Sequence, residues 1–187
     1  MNSTVVVILV AAIVLAGITV LAFQYFRTRR LRERFGPEYT RAVREAGGRK
    51  SAESKLEKLE KRVERLRIRA IEPADRDRFL RSWRSVQTRF VDDPRNALTE
   101  ADNLLGEVMS ARGYSVSDFE SRAEDISVDH PRVAEHYRAG HEIVLRHGRG
   151  LASTEDMRQA MIHYRTLFDE LVEQPMQTET VRSGRSA

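Results

Sequence analysis

The sequence contains no cysteine among its 187 residues. Disulfide bonds, thiolate metal sites and a cysteine nucleophile are therefore excluded, and nothing in the chain requires an oxidising compartment. Only 5 prolines and 10 glycines interrupt the chain, and aromatic residues make up just 7% of it. Because no stretch alternates apolar and polar residues as a half-buried strand does, the sequence predicts an all-α protein.

The motifs of the common enzyme classes are also missing. The chain lacks the glycine-rich phosphate loop, the dinucleotide-binding fingerprint and the nucleophile elbow of hydrolases. Its five histidines include no pair four residues apart, which is the spacing that a zinc pair on one helix needs. We therefore expect no enzymatic activity, no metal site and no cofactor.

Charge is distributed unevenly along the chain. Residues 27–69 carry 16 Lys and Arg against 7 Asp and Glu, whereas residues 70–174 carry 14 against 20. The lysine-containing part of the basic segment, residues 49–69, has interleaved acids and no aromatic ring on which a nucleic-acid base could stack. Contact with an anionic membrane explains this basic charge with fewer assumptions, so nucleic acid is not expected as a partner.

Residues 5–23 form an unbroken apolar run with one threonine and no charged residue. As a helix this run would span roughly 28 Å, close to the ~30 Å hydrocarbon core of a bilayer. The alternative is a cleaved signal peptide, which needs a basic N-terminal region and a shorter apolar core. The preceding residues, MNST, carry no cationic side chain. Residues 1–26 are therefore predicted to be a transmembrane anchor.

Five arginines follow the apolar run within eight positions: Arg27, Arg29, Arg30, Arg32 and Arg34. Because Lys and Arg next to a span stay on the cytoplasmic side, they predict an N-terminus outside the cell and a cytoplasmic C-terminal domain at the inner membrane. The same side chains can contact the anionic lipids of the inner leaflet, at about 1 kcal/mol each. Their role as a topology signal alone is the competing explanation, and both stay open.

Residues 27–70 are predicted to form a basic juxtamembrane segment and a charged stalk helix. Gly36 and Pro37 interrupt the chain, and Pro37 suits the first turn of a short helix that Gly47 and Gly48 end. Four apolar residues then recur among charged ones, three or four positions apart: Leu56, Leu59, Val63 and Leu66. This apolar seam covers about two heptads, fewer than a sustained coiled coil needs. It therefore lies against the domain, pairs with a second copy for self-association, or is solvated.

Residues 71–174 show the wide apolar stripes of a bundle of about five helices. The start and stop signals are Pro73, Pro94, Gly113, a capping box of Ser117 and Glu120, Asp129 before Pro131, and Ser153 with Asp156. The stripes consist of Phe79, Trp83, Val86 and Phe90; Ala97, Ala101, Leu104, Leu105 and Val108; Val133, Tyr137, Val144 and Leu145; and Met157, Ala160, Met161, Tyr164, Leu167, Phe168 and Leu171. Short connections predict antiparallel neighbours. Residues 175–187 are polar and are predicted to be disordered.

The tripeptide His-Tyr-Arg occurs twice, at residues 136–138 and 163–165. In each copy the tyrosine lies on the apolar stripe and is flanked by polar side chains. If the two helices meet at these copies, an anion site could form from His136, Arg138, His163 and Arg165. The simpler explanation is that buried tyrosine hydroxyls find hydrogen-bond partners there.

Several longer stretches are similar to a known family. They are LRERFGPEY, then Trp83, Gln87 and Phe90 leading into VDDP, then SVDHPRVAEHYR and ASTEDMRQAMIHYRTLFDELVE. Together they resemble a family of uncharacterised bacterial single-pass membrane proteins with a cytoplasmic helical domain. The resemblance covers residues 31–173 and implies the architecture, but no activity, cofactor or catalytic residue.

These features favour a non-catalytic adaptor or scaffold that is tethered to the membrane. Such a protein would present its cytoplasmic bundle to a protein partner, whose identity the sequence does not specify, or to a second copy of itself as a homo-oligomer. Tethering would raise the local concentration of what it binds. The alternative is a small-molecule or anion-binding sensor that uses the bundle interior near His136, Tyr137, His163 and Tyr164.

Overall fold

A computed structural model describes residues 3–115 and 117–173, and every regular element in those ranges is helical. The helices are α1 (Ser3–Phe35), α2 (Pro37–Glu45), α3 (Arg49–Val63), α4 (Pro73–Asp92), α5 (Pro94–Arg112), α6 (Phe119–Asp129), α7 (Pro131–Gly148) and α8 (Thr154–Glu173). The predicted fold class, one apolar N-terminal helix followed by a helical bundle, is confirmed. The predicted disordered tail, residues 175–187, lies outside the described residues.

The chain divides into two compact units, Met1–Leu56 and Glu57–Ala187, and the division falls within α3. The sequence instead suggested a boundary between residues 70 and 71, which lie in the connection between α3 and α4. The first unit therefore holds the apolar run, the arginines and the short second helix, and the second holds the bundle.

In the first unit, α1 continues without a break from the apolar run through the arginines and ends at Phe35. Gly36 follows with a φ of 49°, a conformation that glycine adopts at little cost, and Pro37 opens α2 as predicted. Leu31 and Phe35 of α1 and Tyr39 of α2 are buried. The basic end of α1 thus has one apolar face that is covered.

The apolar part of α1 is exposed. Ile13, Leu15, Leu21 and Phe23 each expose at least 67% of their surface, and no side chain between residues 11 and 26 is buried. In the part of the chain that the structure describes, Ala11–Phe35 is one helix that is long and apolar enough to cross a membrane.

The charged helix α3 ends at Val63, before Leu66, the last residue of the predicted seam. The N–H of Leu66 donates to the carbonyl of Val63 over 2.9 Å in a tightened turn. The N–H of Arg69 then donates to the carbonyl of Arg112, at the end of α5, over 2.9 Å. The chain after α3 is therefore held along α5 in a non-helical conformation, and Leu66 lies beyond the helix that carries the other seam residues.

The five helices α4–α8 form the bundle of the second unit. α5 packs against α4 and α8, α6 packs against α7, and the most extensive packing joins α7 to α8. α7 and α8 run antiparallel as predicted, since His136 lies beside His163 whereas Arg146 lies beside Asp156.

The predicted stripes form the bundle core. Every stripe residue named for α5 and α8 is buried, as are Phe79, Trp83 and Val86 of α4. The indole of Trp83 stacks on the ring of Phe168 with ring centroids 4.6 Å apart. Phe90 and Val144, at the stripe ends, are partly buried against the same core. The placement of Leu145 on the α7 stripe is wrong, because its side chain is exposed.

Two of the predicted helix ends are formed as expected. Gly113 ends α5 with a φ of 91°, in the left-handed conformation that favours glycine. Ser153 and Asp156 form reciprocal capping hydrogen bonds at the start of α8. The N–H of Ser153 donates to Oδ2 of Asp156 over 2.8 Å, and the N–H of Asp156 donates to the hydroxyl of Ser153 over 3.1 Å.

Two other predicted caps are wrong by one residue. The cap of α6 is Asp118 and not Ser117, because its carboxylate accepts the N–H of Ser121 over 3.1 Å. Asp129 is the last residue of α6, and His130 takes the cap position of α7 without a side-chain hydrogen bond to the helix. Where several capping residues stand in a row, sequence alone does not choose between them.

Candidate functional site

The five arginines that follow the apolar run lie on the last turns of α1. All but Arg27, which is half-buried, are exposed. Arg29 pairs with Glu33 one turn later, with Nε and Oε1 2.8 Å apart. The guanidinium carbon of Arg32 lies 5.4 Å from the ring centre of Tyr39, within the range of a cation–π contact. The helix therefore presents cations around most of its circumference.

A buried carboxylate joins the three helices of the first unit. Oε1 of Glu53, on α3, accepts the hydroxyl of Thr28 over 2.7 Å and the hydroxyl of Tyr39 over 3.0 Å. Burial raises the pKa of Tyr39, and the hydrogen bond to Glu53 raises it further. The phenol therefore stays protonated and acts as a donor beside the basic end of α1.

The predicted self-association seam is largely covered in a single chain. Leu56, Leu59 and Val63 expose no more than 5% of their surface, and Leu66 is half-buried. The seam therefore already packs within the chain, which was one of the uses expected for it. Pairing with a second copy would require these side chains to lose their present contacts, and self-association through them stays a prediction.

The predicted anion site is only partly assembled. His136 and His163 meet, with their Nδ1 atoms 3.0 Å apart. Each arginine is paired elsewhere: Arg138 with Glu120 of α6 over 2.6 Å, and Arg165 with Asp169 over 3.4 Å. Residues two positions apart on a helix point in very different directions, so the histidines and the arginines do not share one face.

The surroundings of His163 favour its neutral form. A hydrogen bond between two Nδ1 atoms needs a proton on one and a lone pair on the other. Burial lowers the pKa of His163, and the charge of His136 lowers it further. Protonating both rings would place two cations in contact between α7 and α8.

A polar cluster that the sequence did not indicate lies around Asp102 of α5. We call it the Asp102 cluster, and its members are Asp102, Arg122 of α6, Tyr137 and His141 of α7, and Tyr164 of α8. The hydroxyl of Tyr164 donates to Oδ1 of Asp102 over 3.1 Å. Nη2 of Arg122 lies 3.8 Å from Oδ2, and Nδ1 of His141 lies 4.0 Å from Oδ1. Both distances exceed that of a hydrogen bond, so the interactions are electrostatic.

Three polar atoms of the Asp102 cluster are buried without a hydrogen-bond partner among the described residues. They are Nε of Arg122, Nδ1 of His141 and the hydroxyl oxygen of Tyr137. Buried polar groups in folded proteins are nearly always bonded to protein, water or ligand. The Arg122 guanidinium is close enough to the Tyr137 hydroxyl to act on its pKa, and ordered water commonly satisfies buried polar atoms of this kind.

Burial controls the protonation of the Asp102 cluster. It raises the pKa of Tyr137 and of Tyr164, and the negative charge of Asp102 acts in the same direction. It lowers the pKa of His141, against the opposite effect of Asp102. Both phenols therefore remain neutral, and burial disfavours the charged form of the imidazole.

Arg122 also forms part of the wall of an open surface groove of about 730 Å³. The groove is lined by Arg78 of α4, by Asn103, Gly106, Glu107, Ser110 and Ala111 of α5, and by Arg122 of α6. A Cβ atom at Gly106 would lie 2.6 Å from Nη1 of Arg122. The missing side chain at Gly106 therefore leaves the space that the guanidinium occupies.

The sequence predicts part of this region and not the rest. It named the rings of Tyr137 and Tyr164 as buried and in need of partners, and Tyr164 finds Asp102. It did not name Asp102 or Arg122. The available signal was the position of Asp102 directly after the buried Ala101, at the border of an apolar stripe.

Among residues 3–115 and 117–173, no three His, Asp or Glu side chains are grouped so that they could hold a metal ion. Comparisons of the chain with protein-family models, with curated proteins and with solved structures give no match. The roles of its residues must therefore be inferred from their own geometry.

Proposed function

We propose that the protein is a non-catalytic adaptor or scaffold that α1 tethers to the inner membrane and that presents its helical bundle to a protein partner. The observation that carries this proposal is the exposed apolar surface of residues 11–26. Apolar residues on every side of a helix have no favourable place in water, whereas a bilayer solvates them and a helix satisfies its own backbone there.

The arginines set the side of the membrane on which the bundle lies. They follow the apolar run directly, and Lys and Arg next to a span are retained in the cytoplasm. The N-terminus is then outside and residues 24–187 are inside. Four of the five arginines are exposed. They are placed to contact an inner leaflet of anionic lipids, at about 1 kcal/mol each.

The partner is proposed to carry a basic surface. Residues 70–174, which make up most of the bundle, hold 20 acidic against 14 basic residues. A basic partner would be attracted to this acidic surface, which speeds association and disfavours the binding of acidic proteins. Self-association is the second form of this proposal, with the bundle of another copy as the partner. The resemblance to uncharacterised single-pass membrane proteins agrees with the architecture and adds no chemistry.

A sensor between α7 and α8 has less support. The rings of Tyr137 and Tyr164 lie 6.1 Å apart, and a Cβ atom at Gly140 would lie 2.6 Å from the ring of Tyr164. The two helices are therefore in close contact where a ligand would have to enter. Ligand pockets usually need roughly 300 Å³ or more.

The absence of cysteine allows a direct test of anchoring and orientation. Single cysteines would be introduced by Ser3→Cys, before the apolar run, and by Ser85→Cys, at an exposed position of α4. With a membrane-impermeant maleimide, Ser3→Cys should be labelled on intact cells and Ser85→Cys only after permeabilisation. The opposite pattern would overturn the orientation, and release of the chain by alkaline carbonate would overturn the anchor.

The adaptor role is tested by photo-crosslinking in membranes. A photoreactive residue would replace Glu135 or Glu142, two exposed residues of α7. We expect one discrete adduct, at twice the chain mass for self-association or at another mass for a separate partner. If neither position nor any other exposed bundle position gives an adduct, the adaptor role is wrong.

A further inference from the structure

The groove between α4, α5 and α6 brings hydrogen-bond donors together from three helices. Arg78 and Arg122 contribute guanidinium groups, Asn103 an amide and Ser110 a hydroxyl. Guanidinium groups bind phosphate and carboxylate oxygens with two parallel N–H donors. The volume of about 730 Å³ lies within the range of sites for small molecules.

Arg122 has donors that the protein does not use. Only 17% of its side chain is exposed, yet its nearest carboxylate, that of Asp102, is 3.8 Å away. Its Nε is buried without a hydrogen-bond partner among the described residues. A guanidinium that is mostly removed from water normally has close acceptors. An oxyanion in the groove would supply an acceptor to Nη1, the guanidinium nitrogen that lies next to Gly106 at the groove wall.

Arg78 is positioned to bind the same ligand as Arg122. Its Nη2 donates to Asp75 over 3.0 Å, and its guanidinium carbon lies 4.3 Å from the ring centre of Phe79. The salt bridge and the ring keep the side chain at the groove wall, and the planar group still has other N–H donors. Nη1 lies 3.7 Å from Glu107, too far for a hydrogen bond.

Glu107 limits what can bind. Its carboxylate lines the same groove and its side chain is 63% exposed. A second anionic group on the ligand would be repelled by it, whereas hydroxyl or amino groups could donate to it. The groove chemistry therefore matches a small ligand with one oxyanion group and additional donors.

We propose that this groove binds a small metabolite or lipid headgroup that carries a single phosphate or carboxylate group, with Arg78 and Arg122 on its oxygens. The site is separate from the histidine pair of α7 and α8. It does not depend on the adaptor role, since tethering and partner binding involve the membrane run and the exposed bundle surface.

Calorimetric titration of the full-length protein in an uncharged detergent tests the proposal, with glycerol phosphate and inorganic phosphate as probes. We expect saturable binding of glycerol phosphate and weaker binding of inorganic phosphate, which lacks the glycerol hydroxyl groups that can donate to Glu107. Arg122→Met and Arg78→Met should each weaken binding about tenfold or more, as the loss of a charge-assisted hydrogen bond implies. Arg84→Met is the matched control, because Arg84 is exposed on α4 and does not line the groove.

Two further measurements keep the test decisive. Gly106→Ala preserves all charges but pushes against Nη1 of Arg122, so it should weaken binding while circular dichroism stays unchanged. Absence of saturable binding, or an equal loss in Arg84→Met and Arg122→Met, would overturn the proposal.

In nanodiscs, weaker binding of glycerol phosphate with anionic than with neutral lipids identifies a headgroup as the occupant, and equal binding identifies a soluble metabolite.

Discussion

Helices α1 and α8 are both long and rich in apolar residues, but they expose them in opposite ways. On α8 the apolar residues lie on one face and are buried, including Ala160, Tyr164 and Phe168, while charged residues occupy the other face. On α1 the apolar residues between positions 11 and 23 lie on every face and are exposed, such as Ile13 and Leu15. The distribution of apolar residues around a helix, more than their number, indicates which medium covers it.

The largest effect is expected when charges interrupt the exposed apolar run of α1. Leu15→Arg together with Ile18→Arg places two charges in the middle of the apolar run. Each charge costs about 2.5–3.5 kcal/mol for insertion of a transmembrane helix, so the chain should leave the membrane fraction. Alkaline extraction followed by immunoblotting measures this.

The control introduces an arginine at an exposed apolar position of α8. Ile162 is an exposed apolar residue of that helix, and Ile162→Arg should leave the chain in the membrane fraction. If both variants partition alike, the exposed apolar residues of α1 do not report lipid contact.

The next effect concerns the one-sided packing of α8. Phe168→Ala removes the ring that stacks on Trp83 and leaves a cavity, which should lower the free energy of unfolding by about 3–5 kcal/mol. Urea denaturation followed by the fluorescence of Trp83, the single tryptophan, measures it. Val91→Ala, at a largely exposed position, should change the same quantity by less than about 0.5 kcal/mol. Equal effects would mean that the stack adds nothing.

A smaller effect is expected at the charged end of α3. Asp125 is fully buried, and its Oδ1 accepts Nε and Nη2 of Arg62 over 3.0 and 2.7 Å. Arg62→Ala would leave a buried carboxylate without this cation and should cost about 3 kcal/mol of unfolding free energy. Arg65→Ala, at an exposed neighbour, is the control and should be close to neutral. A neutral Arg62→Ala would show that water replaces the arginine.

The smallest effect is a dependence on pH. The pKa values of His141 and His163 are lowered in the folded protein, chiefly by burial. The unfolded chain therefore binds more protons just below the usual histidine pKa of about 6.5, and stability falls as the pH drops through that region. Thermal unfolding between pH 7.5 and 5 measures the slope, and His163→Gln should reduce it. An unchanged slope in that variant would exclude His163 as a cause.

The helices themselves could be predicted well because their signals are local. Prolines at 37, 73, 94 and 131 each open a helix, and Gly113 ends one, as steric properties of these residues dictate. The stripes were predictable for the same reason, since a period of 3.6 residues describes one helix without reference to any other.

The candidate sites were less predictable because they depend on which helices meet. The sequence placed His136 and His163 in equivalent tripeptides, and they do come together. It could not show that Arg138 would turn to Glu120, or that Asp102 would face Tyr164, because these contacts join different helices. Polar residues at the border of an apolar stripe become informative only when the packing is known.

The unbroken course of α1 has a mechanical consequence. Its 33 residues form a rod of about 50 Å, and the first break in the helix is at Gly36. If the apolar run is embedded in lipid, as proposed, a tilt or turn of that run moves the arginines and Phe35 with it, because all of them belong to one continuous helix. A change in bilayer thickness would then shift the five arginines relative to the lipid headgroups.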